Sequence, residues 1–400
     1  MAIIFHIDVN SAYLSWTAAE ELKSGQERDI RLVPSVIGGN QSSRHGIVLA
    51  KSVPAKKYGI RTGEPVANAI RKCPNLLVVP PMYDVYKRYS EAFIRYLKTY
   101  TPDVEQVSID ECFLDYTGIA HRFSSPEEAA KEIKNKIFER FSFTVNVGIS
   151  TNKLLAKMAS DFEKPDKVHT LYPNEVKQKM WPLPVEQLYM AGGASVEVLK
   201  KLEIYTIGDL AMSDPKILEL HLKKHGRMLW ESANGKGDDR VVSQRMKAKG
   251  IGNSVTFSKD LETKEEAKKE LLKISQKVGE RMRRAGQKAG MLSVEIKYYD
   301  FETASHQRQM TRPVNSDMGI YEEAVELFEE FWTGEPIRLL GIRGAKLVTE
   351  NEPIQLSLFD LKEFTEEENR DEKQEKLEKA LDKIRKKFGD EAVVRGSFLK

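Results

Sequence analysis

The chain has 400 residues, with 63 Lys plus Arg against 60 Asp plus Glu, a formal net charge of +3, 40% hydrophobic and 31% charged residues. That length and composition suit roughly two to four domains with modest cores, and the balanced charge confines any nucleic-acid surface to a local patch. Two scattered cysteines, Cys73 and Cys112, exclude a disulfide scaffold and a cysteine zinc site, and no apolar run approaches the ~18 residues of a membrane span.

The apolar run Ile3-Ile4-Phe5-His6-Ile7 ends in Asp8 and reads as a buried strand. It lacks a basic leading segment and so is not read as a signal peptide; the expectation is a soluble, cytoplasmic protein with no membrane partner. Residues 11–24 read as a helix stopped at Gly25, and 31–37 and 46–50 as strands around the turn Gly38-Gly39-Asn40-Gln41-Ser42-Ser43. An amphipathic helix over 83–99 places Tyr86, Tyr89, Phe93, Tyr96 and Leu97 on one face. Val104 to Ile109 reads as a strand, and Cys112 to Asp115 as extended. Ser125 caps a helix over 126–140 with Pro126 at its first position and Glu128 in its first turn. Phe143 to Ile149 is a further strand and Asn152 to Phe162 a further helix. This alternation implies an α+β sheet.

From 166 to 240 the pattern is helical, and His221 and His225 stand four apart, a metal-ligand spacing without an evident third ligand. Residues 236–248 read as a basic linker. A second α+β unit follows: strand 250–257, a helix opened by the Thr263/Glu266 capping box and running to about 285, strands 291–299 and 306–312, helix 317–332 and strand 337–348, in the order βαββαβ. Its first helix carries Lys277, Arg281, Arg283, Arg284 and Lys288 against Glu280, either a solvated face or a phosphate-contacting one. Residues 349–362 lose periodicity. Beyond them Leu377, Leu381, Ile384 and Phe388 mark an amphipathic helix that could dock back or meet a partner.

Asp8 ends one core strand, and Asp110 and Glu111 end another. Taken singly they could be solvated loop acids. Together, three carboxylates at strand ends are costly unless a cation neutralises them. Mg²⁺ suits such groups, and two ions can clamp both oxygens of a phosphoryl displacement.

Asp8-Val9-Asn10-Ser11-Ala12-Tyr13 and Ser108-Ile109-Asp110-Glu111 resemble the two metal motifs of Y-family DNA polymerases. Ala55-Lys56-Lys57-Tyr58-Gly59-Ile60, Val147-Gly148-Ile149-Ser150-Thr151-Asn152-Lys153 and the stretch Ala156 to Pro165 agree, in the same order, so that the resemblance covers residues 1–348. Within the family the chain is similar to bacterial lesion-bypass enzymes of the DinB/UmuC type. The resemblance implies a right-hand polymerase: palm at 1–10 and 76–166, fingers at 11–75, a helical thumb at 167–238, a βαββαβ little finger at 246–348, and a tail at 349–400. It implies two Mg²⁺ ions, replaceable by Mn²⁺, on the carboxylates of Asp8, Asp110 and Glu111 and the backbone carbonyl of Val9. Tyr13 falls at the steric gate beneath the incoming sugar, and Lys56 and Lys164 at positions that touch the triphosphate.

Two stretches depart from the family pattern. Many relatives carry Thr, Tyr and Arg where this chain has Ala50, Val53 and Lys56, so two hydroxyls are lost and a forked donor becomes a point charge. Gly192-Gly193 and Ile204 to Leu210 resemble the thumb's helix–hairpin–helix, with Met190 at the first glycine position. Past the last strand, Gln355-Leu356-Ser357-Leu358-Phe359 resembles the peptide that docks bacterial proteins on the sliding clamp, with Gln355, Leu356, Leu358 and Phe359 as anchors. The partners implied are primer–template DNA, dNTP and the clamp, for a monomeric DNA-directed DNA polymerase. Two other readings, a nucleotide cyclase on a palm-like scaffold and a silent clamp-bound scaffold, are disfavoured by the DNA-gripping units and by the intact acid set.

Overall fold

A computed structural model describes residues 2–39, 46–244, 248–349, 377–389 and 392–393. It divides into two compact units, Met1–Arg245 and Met246–Lys400. The Gln355–Phe359 peptide lies outside the described residues.

The first unit begins with β1 (Ile4–Val9), α1 (Ala12–Lys23), β2 (Ser35–Gly38), β3 (Val48–Lys51), α2 (Val53–Lys56), α3 (Val66–Lys72), β4 (Leu77–Val79) and α4 (Tyr83–Leu97). It continues through β5 (Val104–Gln106), β6 (Glu111–Asp115), α5 (Pro126–Phe141), β7 (Val145–Ser150), α6 (Lys153–Asp161) and β8 (Val168–Thr170). A helical block closes it: α7 (Gly193–Lys201), α8 (Ile207–Met212), α9 (Pro215–Leu222) and α10 (Lys224–Ala233).

β1 is the middle strand of a five-stranded sheet ordered β5-β6-β1-β7-β8. Ile4, Phe5 and Ile7 are fully buried because the strand is covered on both faces, which is why its apolar run is continuous rather than alternating. One cover is α6. It lies so close to the sheet that a Cβ on Gly148 of β7 would stand 2.0 Å from the Ala156 carbonyl, so only glycine fits there. The other cover comes from α4 and α5, through Tyr86, Phe93, Leu97, Ile133 and Ile137. A separate three-stranded sheet, β3-β2-β4, holds its own core of Val36, Val48, Ala55 and Val66.

Several sequence expectations shift. The strand expected over 104–109 stops at Gln106; the amides of Val107 and Ser108 turn back onto the Glu111 carbonyl. Asp110 therefore sits in a turn, while Glu111 opens β6. β4 and β8, three residues each, are too short to leave a period, and β8 joins the sheet parallel to β7 in a stretch expected to be helical. His221 and His225 do not share a helix: Lys223, at φ 54, breaks the chain between α9 and α10. Met190 does take up the glycine-like conformation, at φ 71, which costs a side-chain-bearing residue roughly 1–2 kcal/mol.

The second unit has the expected order: β9 (Gly250–Leu261), α11 (Lys264–Arg284), β10 (Gln287–Tyr298), β11 (Thr303–Val314), α12 (Asp317–Phe331) and β12 (Ile337–Thr349). Its antiparallel sheet is ordered β11-β10-β12-β9. Leu292, Val294, Ile296, Leu340 and Ile342 face the two helices and are buried. The alternate residues, among them Ser293, Glu295, Ser305, Gln307 and Arg343, line a polar depression of about 660 Å³ on the opposite face.

The basic face expected on α11 is incomplete. Arg283 is withdrawn from solvent, its side chain only 2% exposed. It donates to Asp317 Oδ1 and Glu378 Oε2, both at 2.9 Å, and forks onto the two carboxylate oxygens of Asp382 at 2.8 and 3.1 Å. Glu378 and Asp382 belong to a helix over 377–388. The amphipathic tail segment thus docks on its own unit, and the fully buried Glu378 also accepts from the Asp317 amide at the start of α12.

Candidate active site

At Ser11 the chain takes a left-handed conformation, φ 48, as it passes from β1 into α1. That turn carries Asp8, Val9 and Tyr13 to the wall of one cavity of about 560 Å³. Lys56 reaches it from α2, Asp110 from the β5–β6 turn, and Lys164 from the segment after α6. Six of the seven residues that the sequence assigned to metal and nucleotide are therefore together. Glu111 is the seventh: it pairs in register with Asp8 across β1 and β6 and lies outside the lining of the cavity.

What Glu111 meets there was not foreseen. Its Oε2 is 2.5 Å from Lys157 Nζ and 3.3 Å from Nε2 of the fully buried His6. His6 Nδ1 is in turn 2.8 Å from the Ser160 hydroxyl. Burial favours the neutral imidazole, and the Ser160 hydroxyl beside Nδ1 gives its proton to the Lys157 carbonyl, at 2.8 Å. The His6 ring and the Lys157 ammonium beside it hold the Glu111 carboxyl down to about 2. Asp8 is paired with Lys164, which also lies 2.8 Å from Asp161.

Among the described residues no cation is paired with Asp110. Burial raises its carboxyl above the ordinary aspartate value; the Ser108 hydroxyl, at 2.6 Å, opposes this, and the charges of Asp8 and Glu111 add to it. Among the described residues no three His, Cys, Asp or Glu side chains form a ready metal cage. Two lysines take up acid oxygens instead. The donor chemistry nonetheless suits a hard divalent ion: the acids offer oxygen alone, and Asp110 carries the uncompensated repulsion that a cation relieves.

The Tyr13 ring stacks on Tyr86 at 4.3 Å and 6°, with Tyr83 edge-on at 6.5 Å. A ring clamped in this way has little freedom to move aside. Ala50 and Val53 line the cavity without a hydroxyl, as the sequence implied. Lys51 and Thr62 line it as well, and the sequence reading assigned neither of them a role. Lys51 sits in a strand next to the expected positions, and nothing in its spacing marks it.

The comparisons agree over nearly the whole chain. The impB/mucB/samB family matches residues 7–161, and the C-terminal domain of the same family matches residues 248–358. A protein named DNA polymerase IV from Clostridium acetobutylicum is 48% identical over 99% of this chain and 98% of its own length. DNA polymerase IV 1 of Bacillus subtilis is 36% identical over 100% of this chain and 93% of its own. A solved Y-family DNA polymerase chimera superposes with a TM-score of 0.76 over 87% of this chain and all of its own, at 22% identity, a likeness of fold.

Proposed function

The chain belongs to the impB/mucB/samB family, the bacterial Y-family DNA polymerases of DinB type, and from that premise we propose that it extends a primer along damaged template DNA at the cavity between β1, α1, α2 and the β5–β6 turn. The observation that carries the assignment to this cavity is the meeting in it of two acids, an aromatic ring and lysines from separate elements. The five-stranded sheet serves as palm, the small sheet with α2 and α3 as fingers, the block α7–α10 as thumb and the βαββαβ unit as little finger, whose polar open face is the surface for DNA backbone.

Asp8, Asp110 and Glu111, with the Val9 carbonyl, would hold two Mg²⁺ ions. When bound, these supply the charge that activates the primer hydroxyl and stabilises the leaving pyrophosphate. Lys164 exchanges Asp8 for phosphate as nucleotide enters, and Lys56 adds a second point charge. The direct test is primer extension on templates differing in one base: the added nucleotide follows the template, and untemplated addition would overturn the reading.

Tyr13 selects the sugar by collision with a 2′-hydroxyl. Tyr13→Ala should raise the ribo/deoxy ratio of kcat/KM by about 100-fold, equivalent to ~2.8 kcal/mol. An unchanged ratio would make Tyr13 only a packing partner of Tyr86.

Gln355, Leu356, Leu358 and Phe359 dock the chain on the sliding clamp. Burying two of the apolar side chains is worth roughly 3–6 kcal/mol before ordering costs, so a micromolar contact is expected. Leu358→Ala with Phe359→Ala should leave unclamped extension unchanged and abolish stimulation by loaded clamp; full stimulation would reject the motif.

A further inference from the structure

The nucleotide cavity is lined by two acids, Asp8 and Asp110, and by three lysines, Lys51, Lys56 and Lys164. Lys164 is already paired with Asp8 and Asp161. Lys51 is half-buried, closes β3, and its ammonium donates to the Thr62 hydroxyl, at 3.2 Å. Glu64, the acid that acts on Lys51 from a distance, is engaged by Lys72 at 2.5 Å. Burial and then the charge of Lys56 hold the Lys51 ammonium below its ordinary value, so the two cations are near enough to repel. Two like charges held in one cavity lined also by Thr62 make a site for an anion.

We propose that Lys51, steadied by Thr62, is a phosphate-binding cation of the nucleotide site, acting with Lys56 where hydroxyls at positions 50 and 53 are missing. This rests on the polymerase reading and deepens it. Lys51 meets the triphosphate as a point charge, which needs no fixed approach angle, and the Thr62 hydroxyl limits the arc over which the long side chain swings. Binding removes the repulsion between the two lysines, so the affinity gain falls on substrate binding rather than on the chemical step.

The test is single-nucleotide incorporation by Lys51→Met, Lys51→Arg, Thr62→Val and Lys56→Met, alongside the dissociation constant for primer–template DNA and the inhibition constant of pyrophosphate. Lys51→Met should raise the dNTP KM about tenfold and weaken pyrophosphate inhibition similarly, with kcat and DNA affinity within about threefold of wild type. Lys51→Arg, which keeps the charge, should stay within about threefold in KM, and Thr62→Val should lie between the two. An unchanged KM in Lys51→Met overturns the proposal. So does weakened DNA binding with KM intact, since the phosphate would then belong to the DNA backbone. A raised KM in Lys56→Met with no change in Lys51→Met removes this inference alone, whereas a wild-type chain that adds no templated nucleotide removes the reading beneath it.

Discussion

The Asp110→Asn, Glu111→Gln protein is expected to fold and bind primer–template DNA while losing extension by at least about 1,000-fold, a barrier increase of ~4 kcal/mol. The amides keep the shape of the β5–β6 turn but remove two of the three negative charges that the proposed site would offer to metals. Asp110 is the more telling of the pair, because among the described residues no cation is paired with it and the proposed metals would relieve its repulsion with Asp8 and Glu111. Glu111→Gln also leaves the Lys157 ammonium without its 2.5 Å partner. That loss costs roughly 1–3 kcal/mol of stability, which a domain of this size tolerates. Thermal melting and DNA binding, measured beside extension, separate lost chemistry from lost fold. Extension at near wild-type rate by the double variant would remove both residues from the site.

Arg283→Ala is expected to destabilise the second unit by about 3–5 kcal/mol. The guanidinium donates to Asp317, Glu378 and Asp382 and to the Asn315 carbonyl. Its removal takes a charged donor from two carboxylates, Asp317 and Glu378, that are almost wholly buried. Gly279 belongs to the same arrangement: a Cβ there would stand 2.6 Å from Asp317 Oδ1 and 2.9 Å from the Arg283 guanidinium. Asp382→Asn, at the more exposed rim, should cost about 1 kcal/mol. Denaturant unfolding of the full chain reads both. A loss under about 1 kcal/mol for Arg283→Ala would mean that the tail helix does not sit on α11 and α12 as described.

The sequence carried the architecture well where elements were long and regular. The second unit was legible because its helices have caps and amphipathic periods and its strands run for twelve or thirteen residues. β4 and β8 were not, since three residues cannot display a period. Asp8, Asp110 and Glu111 stood out as acids beside apolar runs, yet the turn that separates Asp110 from β6 depends on amide contacts to the Glu111 carbonyl that no pattern announces. His6 was hidden inside an apolar strand. Its contact with Glu111 arises from strand register and from the close seat of α6 over Gly148, both of them tertiary. Arg283 was misread for the same reason: a run of basic residues on a helix looks solvated until the tail that pairs with one of them is placed.

The measurement that bears most directly on the whole account is primer extension by the wild-type chain on an undamaged template and on one bearing an abasic site, with Mg²⁺ and with the metal chelated. The account predicts templated extension on the first, insertion opposite and past the abasic position on the second, and neither after chelation. Arrest at the abasic site with normal synthesis elsewhere would contradict the lesion-bypass reading. Synthesis that survives chelation would contradict the assignment of Asp8, Asp110 and Glu111 as metal-holding acids.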